Sequence, residues 1–284
     1  MKLDTALHSI LPSLACALLL LSGCSSPTTA DTDKTKTNPV DAPAPAETDA
    51  PEPQKADKPA KPAKSSEPSP ADTEPASSGE GEVPVALELP KPVFIGTPKK
   101  RPAGVRVDPN PKQGPRKPYM APKDVELISR DKPVTASDKE PIIGEIKQIT
   151  DGDKEGASGS YVEFGPGKQW AQVDLGKKYE IYPILIWFYH GDPRIYHDVI
   201  VQVSDDPDFI QHVATLFNND FDNSIGLGVG TDYEFYETNE GKLVDGRRGG
   251  KPTVARYIRV YSNGSTADEM NRFTEIEVWG RPAK

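Results

Sequence analysis

Proline decides where this chain can fold. Of its 30 prolines, 21 fall between residues 25 and 122 and only eight follow. A proline at roughly every fifth position removes backbone donors and clashes with the preceding turn, which rules out helices and central strands. The foldable part is therefore 124–284, long enough for one well-buried core. Both cysteines, Cys16 and Cys24, lie ahead of it. The folded part thus has no disulfide, no thiol nucleophile and no cysteine-based zinc site. A net charge of −9 and a mean hydropathy of −0.59 argue against a polytopic membrane protein and a general nucleic-acid binder.

Residues 1–24 read as an address. After Lys2, an apolar run from Ile10 to Leu21 is broken only by Pro12 and Ser13. It falls short of the ~18–20 residues needed to span a bilayer and reads as a signal-peptide core. It ends in Leu21-Ser22-Gly23-Cys24, which resembles the bacterial lipobox. The expectation is that Cys24 is acylated and becomes the mature N-terminus, anchoring the chain to a membrane by two or three acyl chains. Ser25 in place of Asp implies, for the Gram-negative lipoproteins this resembles, export to the outer membrane.

Two unlike segments follow. Residues 25–82 carry twelve acids, six lysines and no aromatic residue, too little apolar surface to offset ordering entropy, and are expected to be a disordered tether. Residues 83–123 carry nine Lys and Arg against Glu88 and Asp108, and regain Val85, Leu87, Leu89, Val93-Phe94-Ile95 and Tyr119-Met120. Their net charge is +7, against −10 for 124–284. Two readings stand: further linker, or an arm lying along the acidic domain. The stretch Ile181–Tyr189 bears on the choice. Ile184, Ile186 and Phe188 make one apolar parity, and Leu185, Trp187 and Tyr189 the other. A sandwich strand normally needs one apolar face, so the second needs a cover, for which Val93-Phe94-Ile95 is the candidate.

The folded part reads as all-β. Trp170–Leu175 stops at Gly176, and Glu180–Tyr189 follows. Val199, Val201 and Val203 alternate with Ile200, Gln202 and Ser204 before the turn at Asp205–Asp208. Arg256–Tyr261 and Thr274–Trp279 flank an Asn263-Gly264 turn. No sustained helical period is present, and the pattern suggests a sandwich or barrel.

Six motifs occur in order: Lys132–Ser137, Thr150–Asp153, Trp170–Gly176, Val203–Asp206, Ala255–Val260 and Thr274–Gly280. Together they resemble the discoidin family, the coagulation factor 5/8 type C domain, over about residues 125–281. The resemblance implies a galactose-binding-like jelly-roll sandwich, usually a non-catalytic module. Its bacterial members are often carbohydrate-binding, and many hold a structural calcium. Carried over, the calcium ligands are Asp151, Asp153 and Glu275. Where the family has a Ser or Thr ligand this chain has Gly156, with Ser158 and Ser160 nearby.

Other constellations are weighed from the residues. Asn218–Ser224 alternates oxygen side chains, but Ile225 stands where an EF-type loop needs Gly, so a polar surface loop is expected. Gly226–Gly230 is not GxGxxG and lacks a βαβ setting. His190, His197 and His212 have no zinc spacing. Tyr189, His190, Asp192, Arg194 and Tyr196 share a loop whose aromatic faces and planar donors suit a sugar. The alternative is an ordinary loop in which Arg194 pairs with an acidic neighbour. Trp170 and Trp187 read as core. No acid–base pair or nucleophile elbow stands out.

The resulting expectation has four domains: signal peptide 1–24, tether 25–82, arm 83–123 and sandwich 124–284. The protein would be an anchored, non-catalytic envelope protein that binds a glycan or envelope polysaccharide, or mediates adhesion, through its discoidin-like domain. The alternative is an interaction protein docking a protein partner through the basic arm.

Overall fold

The structure, a computed structural model, describes residues 81–93, 101–111 and 114–284. The signal peptide, Cys24, the tether apart from Gly81 and Glu82, and Phe94-Ile95 lie outside the described residues.

Twelve strands follow one another: β1 (Glu82–Pro84), β2 (Met120–Pro122), β3 (Glu126–Leu127), β4 (Val134–Ala136), β5 (Val162–Phe164), β6 (Gln169–Phe188), β7 (Ile200–Ser204), β8 (Ala214–Asn218), β9 (Lys242–Asp245), β10 (Arg247–Arg248), β11 (Lys251–Ser262) and β12 (Asn271–Pro282). A 3₁₀ turn at Ile146–Thr150 is the one helical element among the described residues. The all-β fold expected from the turns forms, and with it the jelly-roll sandwich that the resemblance implies.

The sandwich is built on one long strand. Trp170–Leu175 and Glu180–Tyr189 read as two strands but are joined in β6. Gly176, at φ +84°, lies in the irregular stretch between the pairs Asp174–Tyr257 and Tyr179–Ala255, and the pairing with β11 resumes beyond it. The first half of β6 pairs with β4 and with Tyr257–Ser262 of β11, which pairs on to β7 and β8. The second half pairs with β12 and β9. β11 and β12 carry register shifts that let them bend with β6. Ala171, Val173 and Leu175 from the first half meet Ile184, Ile186 and Phe188 from the second in one core, with Val201, Ile258, Val260, Ile276 and Val278.

The other face of the second half of β6 is covered too. Leu185 and Trp187 are fully buried. β1 pairs antiparallel with β2, and Tyr119 and Ala121 form a second apolar cluster with Tyr182, Val85, Val125 and Leu243. Polar contacts pin the arm down. Tyr119 Oη donates to Asp245 at 2.5 Å, and Arg116 Nη2 donates to the Gly241 carbonyl at 2.8 Å. Asn239 Nδ2 donates to the Pro90 carbonyl at 2.9 Å. The docked-arm reading thus describes the structure for the described part of the arm. Val93 is 55 % exposed. The arm residues that pack on this face are Val85, Tyr119 and Ala121, against Tyr182 and Leu243, while Trp187 lies against Lys154 and Gly241.

Candidate functional site

The loops β6–β7 and β11–β12 are zipped together at one end of the sandwich. His197 N–H donates to the Gly264 carbonyl, and Asn263 N–H to the His197 carbonyl, at 3.0 and 2.9 Å. Thr266 N–H and Oγ1 bond Ile195 in both directions. Between these loops and Pro166-Gly167 lies an open pocket of about 320 Å³ lined by His197, Asn263, Ser265, Asp268 and Glu269. Its walls are braced from outside. Asn263 Nδ2 donates to Asp198 at 2.8 Å, and His197 Nδ1 to Glu234 at 2.8 Å. Asp268 takes both oxygens to Arg272 Nη1. The hydrogen bond to Glu234 raises the His197 pKa.

The residues nominated for a sugar sit on the right pair of loops but mostly face inward. Tyr196 is fully buried, its ring stacked on Phe188 at 4.5 Å. Burial raises its pKa. His190 is also fully buried, and its Nε2 lies 2.9 Å from the Lys154 carbonyl. Burial lowers its pKa, and because a carbonyl only accepts, Nε2–H is the donor. Neither ring can offer a face to a ligand, which corrects that expectation for both. Arg194 is 5 % exposed and forms a two-pronged bond to Asp192, 2.7 Å at each prong. The hydrogen bond from Arg194 lowers the Asp192 pKa. Arg194 also lies 4.8 Å from the centre of the Tyr189 ring, which meets Tyr161 edge-on. Tyr189, Asp192 and Arg194 thus make a packed wall, as the alternative reading had it. Apart from His197, which ends the nominated Tyr189–His197 loop, the pocket's own side chains escaped the sequence reading because Asn263–Glu269 registers only as a turn. The available signal was its density of short polar side chains.

The calcium set can be tested against the loop at Asp151. Glu275 is fully buried, its Oε1 without a hydrogen-bond partner among the described residues, and burial pushes its pKa up to about 8. Taken alone, that carboxyl suits a cation. Its neighbours do not. Its Oε2 accepts Gly152 N–H at 3.1 Å, and Asp151 Oδ1 accepts Asp153 N–H at 2.8 Å. Arg130 Nη1 donates to the Asp151 carbonyl at 2.7 Å, and the guanidinium lies where a Cβ on Gly152 would stand, 1.3 Å from it. At Gly156, a Cβ would meet His190 Nδ1 at 2.8 Å. A cation and an imidazole therefore fill both flanks of the loop. Asp151, Asp153 and Glu275 as placed do not fit a calcium ion, which wants six to eight oxygens.

Among the described residues, the three acidic groups whose oxygens come within 4.8 Å of one another are Asp198, Asp220 and Asp222. They lie at the acidic loop read as a polar surface turn. Their oxygens are largely used within it: Asp198 accepts from Ser224 and Asn263, and Asp220 from Ser224 and Ile225. Of the tryptophans, Trp187 is core, with Nε1 donating to the Asn239 carbonyl at 2.9 Å. Trp170 is half-buried under Arg259, whose guanidinium sits 4.3 Å from its ring and 4.2 Å from that of Phe209.

The described residues define one jelly-roll sandwich with an arm bound on its second face and a polar pocket at its loop end. No family model matches the chain, and no curated protein matches it. Several solved structures are similar. One is the CBM32 of AlyQ in complex with 4,5-unsaturated mannuronic acid, at 20% identity and TM-score 0.35, covering 52% of this chain and 95% of that one. A second is chitosan-binding module 1 of a chitosanase/glucanase from Paenibacillus sp. IK-5, at 20% identity and TM-score 0.36, covering 55% and 99%. A third is a pectin-binding carbohydrate-binding module, at 18% identity and TM-score 0.37, covering 53% and 91%.

Proposed function

We propose that the protein is a lipid-anchored, non-catalytic glycan-binding protein of the cell envelope, held at the outer membrane through Cys24 and displaying its sandwich on the 25–82 tether. The observation that carries the binding part is the loop-end pocket of about 320 Å³, whose polar side chains are braced by partners outside it. Preset hydrogen-bonding groups on a rigid sandwich end suit a hydroxyl-rich ligand. The pocket is open, so affinity is modest, roughly micromolar to millimolar, and display of many copies on one surface compensates. Asp268 and Glu269 line it, and residues 124–284 carry a net charge of −10. This favours neutral or amine-bearing sugars over uronates. A protein partner captured by a free basic arm is the weaker reading, because Arg106 and Arg116 of that arm are engaged with their own domain.

The test is a glycan array on the mature chain, then titration calorimetry on wild type and on His197→Ala/Glu269→Ala. The proposal expects a sugar that binds wild type and is lost in the double variant. Equal binding by both moves the site elsewhere, and silence across the array returns the lead to a protein partner.

A further inference from the structure

The pocket imidazole is held from behind, and the residue holding it is itself held by the arm. Glu234 is 4 % exposed. Its Oε1 meets His197 Nδ1 at 2.8 Å, and its Oε2 accepts the backbone N–H of Arg106 at 2.5 Å. Glu234 N–H returns a bond to the Arg106 carbonyl at 3.0 Å, and Val107 bridges Glu234 in parallel fashion. The Arg106 guanidinium lies 5.5 Å from the centre of the Tyr233 ring. A short hydrogen-bonded relay therefore runs from arm to carboxylate to imidazole to pocket.

We propose that the arm is a working part of the binding site: Arg106 N–H orients the Glu234 carboxylate, and Glu234 fixes the proton of the neutral His197 ring on Nδ1. An ionised carboxylate only accepts, so the nitrogen facing it must carry the hydrogen. At a pH above the ring's raised pKa, where it is neutral, Nε2 is then left to the pocket as an acceptor; below it Nε2 also donates. With the Asp268 and Glu269 carboxylates beside it, the pocket presents acceptors to its ligand. It selects a sugar rich in donors, hydroxyl or ammonium, and rejects a bare carboxylate, which would face these acceptors unpaired. Arg106 and Glu234 are positioning residues, since neither lines the pocket. The ligand class rests on the glycan reading above; the relay does not.

The experiment reads the two separately. Nitrogen-15 NMR of the His197 ring in the mature chain, at a pH where the ring is neutral, reports which nitrogen holds the proton. Wild type is expected to show Nδ1–H. In Glu234→Gln, Arg106 N–H claims the amide oxygen, the amide nitrogen turns to His197, and the proton moves to Nε2. Arg106→Pro in the Glu234→Gln background removes the N–H that sets the amide, and restores a mixed ring. Arg106→Ala keeps the N–H and matches Arg106 in either background. A wild-type ring protonated on Nε2, or a Glu234→Gln ring unchanged from wild type, overturns the relay. Calorimetry with chitosan oligomers, galacto-oligosaccharides and alginate oligomers, at the same pH where the ring is neutral, reads the ligand class. Binding of one of the first two, weakened about tenfold in Glu234→Gln, with alginate inert, supports it; preference for alginate overturns it. An inverted ring with no sugar bound by any form leaves the relay standing and removes the glycan reading.

Discussion

The second half of β6 has two apolar faces, and they are buried by different means. The inner one, Ile184, Ile186 and Phe188, meets regular strands of the opposite layer in a hydrocarbon core. The outer one, Leu185 and Trp187 with Tyr182, meets an irregular arm, the Lys154–Glu277 ion pair, and the buried carboxyl of Glu275. Lys154 Nζ sits 5.0 Å from the Trp187 ring. Glu275 and Glu277 lie opposite Trp187 and Leu185 in the β6–β12 register. A strand can therefore be equally dry on both sides while one side is set by alternation and the other by long-range pieces carrying charge. The inner face resists because it is close-packed; the outer one answers to pH, to single hydrogen bonds and to the arm.

The sharpest break of this contrast comes from the inner face. Phe188→Ala removes a fully buried ring stacked on Tyr196 and packed 4.8 Å from Phe273. It is expected to cost about 3–5 kcal/mol in chemical denaturation, since a core that cannot relax keeps the cavity. A loss no larger than an outer-face change would end the distinction.

Next in size is the effect of pH on the buried carboxyls. Burial raises Glu275, and Glu237 beyond the end of β6, from 4.5 to about 8. Neither Glu237 oxygen has a well-formed hydrogen bond among the described residues. Below pH 4.5 both groups are protonated in either state and contribute no slope. Above it the unfolded chain releases protons that the folded chain keeps, so stability falls as pH rises, until the folded groups ionise near pH 8. His197, raised by Glu234, works in the same direction: its contribution is present below 6.5 and lost as pH passes its raised pKa. His190, lowered by burial, opposes them. The net expectation is a loss on the order of a few kcal/mol between pH 5 and 8. Glu237→Gln and Glu275→Gln should each flatten the slope. A stability that rises across this range contradicts the assignment.

A smaller effect tests whether the arm is held by specific bonds. Tyr119→Phe keeps the apolar ring over Tyr182 and deletes the hydroxyl that donates to Asp245. About 1–2 kcal/mol should be lost, and amide exchange at Met120 and Ala121 and at Glu82 and Val83 in the facing strand should quicken while Ile184 and Ile186 stay protected. Unchanged exchange throughout would mean that the arm is held by its apolar contacts alone.

These differences also explain what could be read in advance. The inner face was legible because alternation in Val199–Ser204, and apolar runs closed by turn residues, report local geometry. The need for a cover on Leu185 and Trp187 was legible for the same reason. Which described arm residues pack on this face was not, because Val85, Tyr119 and Ala121 meet Tyr182 through contacts far along the chain, whereas Val93-Phe94-Ile95, of which Val93 alone is described, stands out in the sequence as the most apolar run. Gly176 read as a stop because a positive-φ glycine looks alike at a strand end and at a bend. In the β6–β7 loop, Tyr196 and His190 resemble surface binding residues until their partners, Phe188 and the backbone around Gly156, are known.

The smallest expected effect belongs to the outer face, at the Asp151 loop. There the resemblance implies an ion and the structure places side chains. Arg130 covers Gly152 and bonds the Asp151 carbonyl, an oxygen of the kind a calcium ion would take, and His190 stands where a ligand side chain at position 156 would project. A calcium ion bound only to the folded state would add about 2.7 kcal/mol at a hundredfold excess over its dissociation constant. The arrangement predicts no such gain: the melting midpoint should be the same in chelator and in millimolar calcium. Arg130→Ala sharpens the test. It removes the hydrogen bond to Asp151, at a cost of about 1 kcal/mol, and frees the face of Gly152, but leaves His190 against Gly156. If the arginine alone displaces the ion, this variant acquires a calcium-dependent midpoint. If His190 and the missing side chain at position 156 also matter, it stays insensitive, which is the outcome expected here. A fall in the wild-type midpoint on adding chelator, abolished in Glu275→Gln, would show that Arg130 yields to an ion at this loop; the same fall kept in Glu275→Gln would point to the Asp198, Asp220 and Asp222 cluster instead.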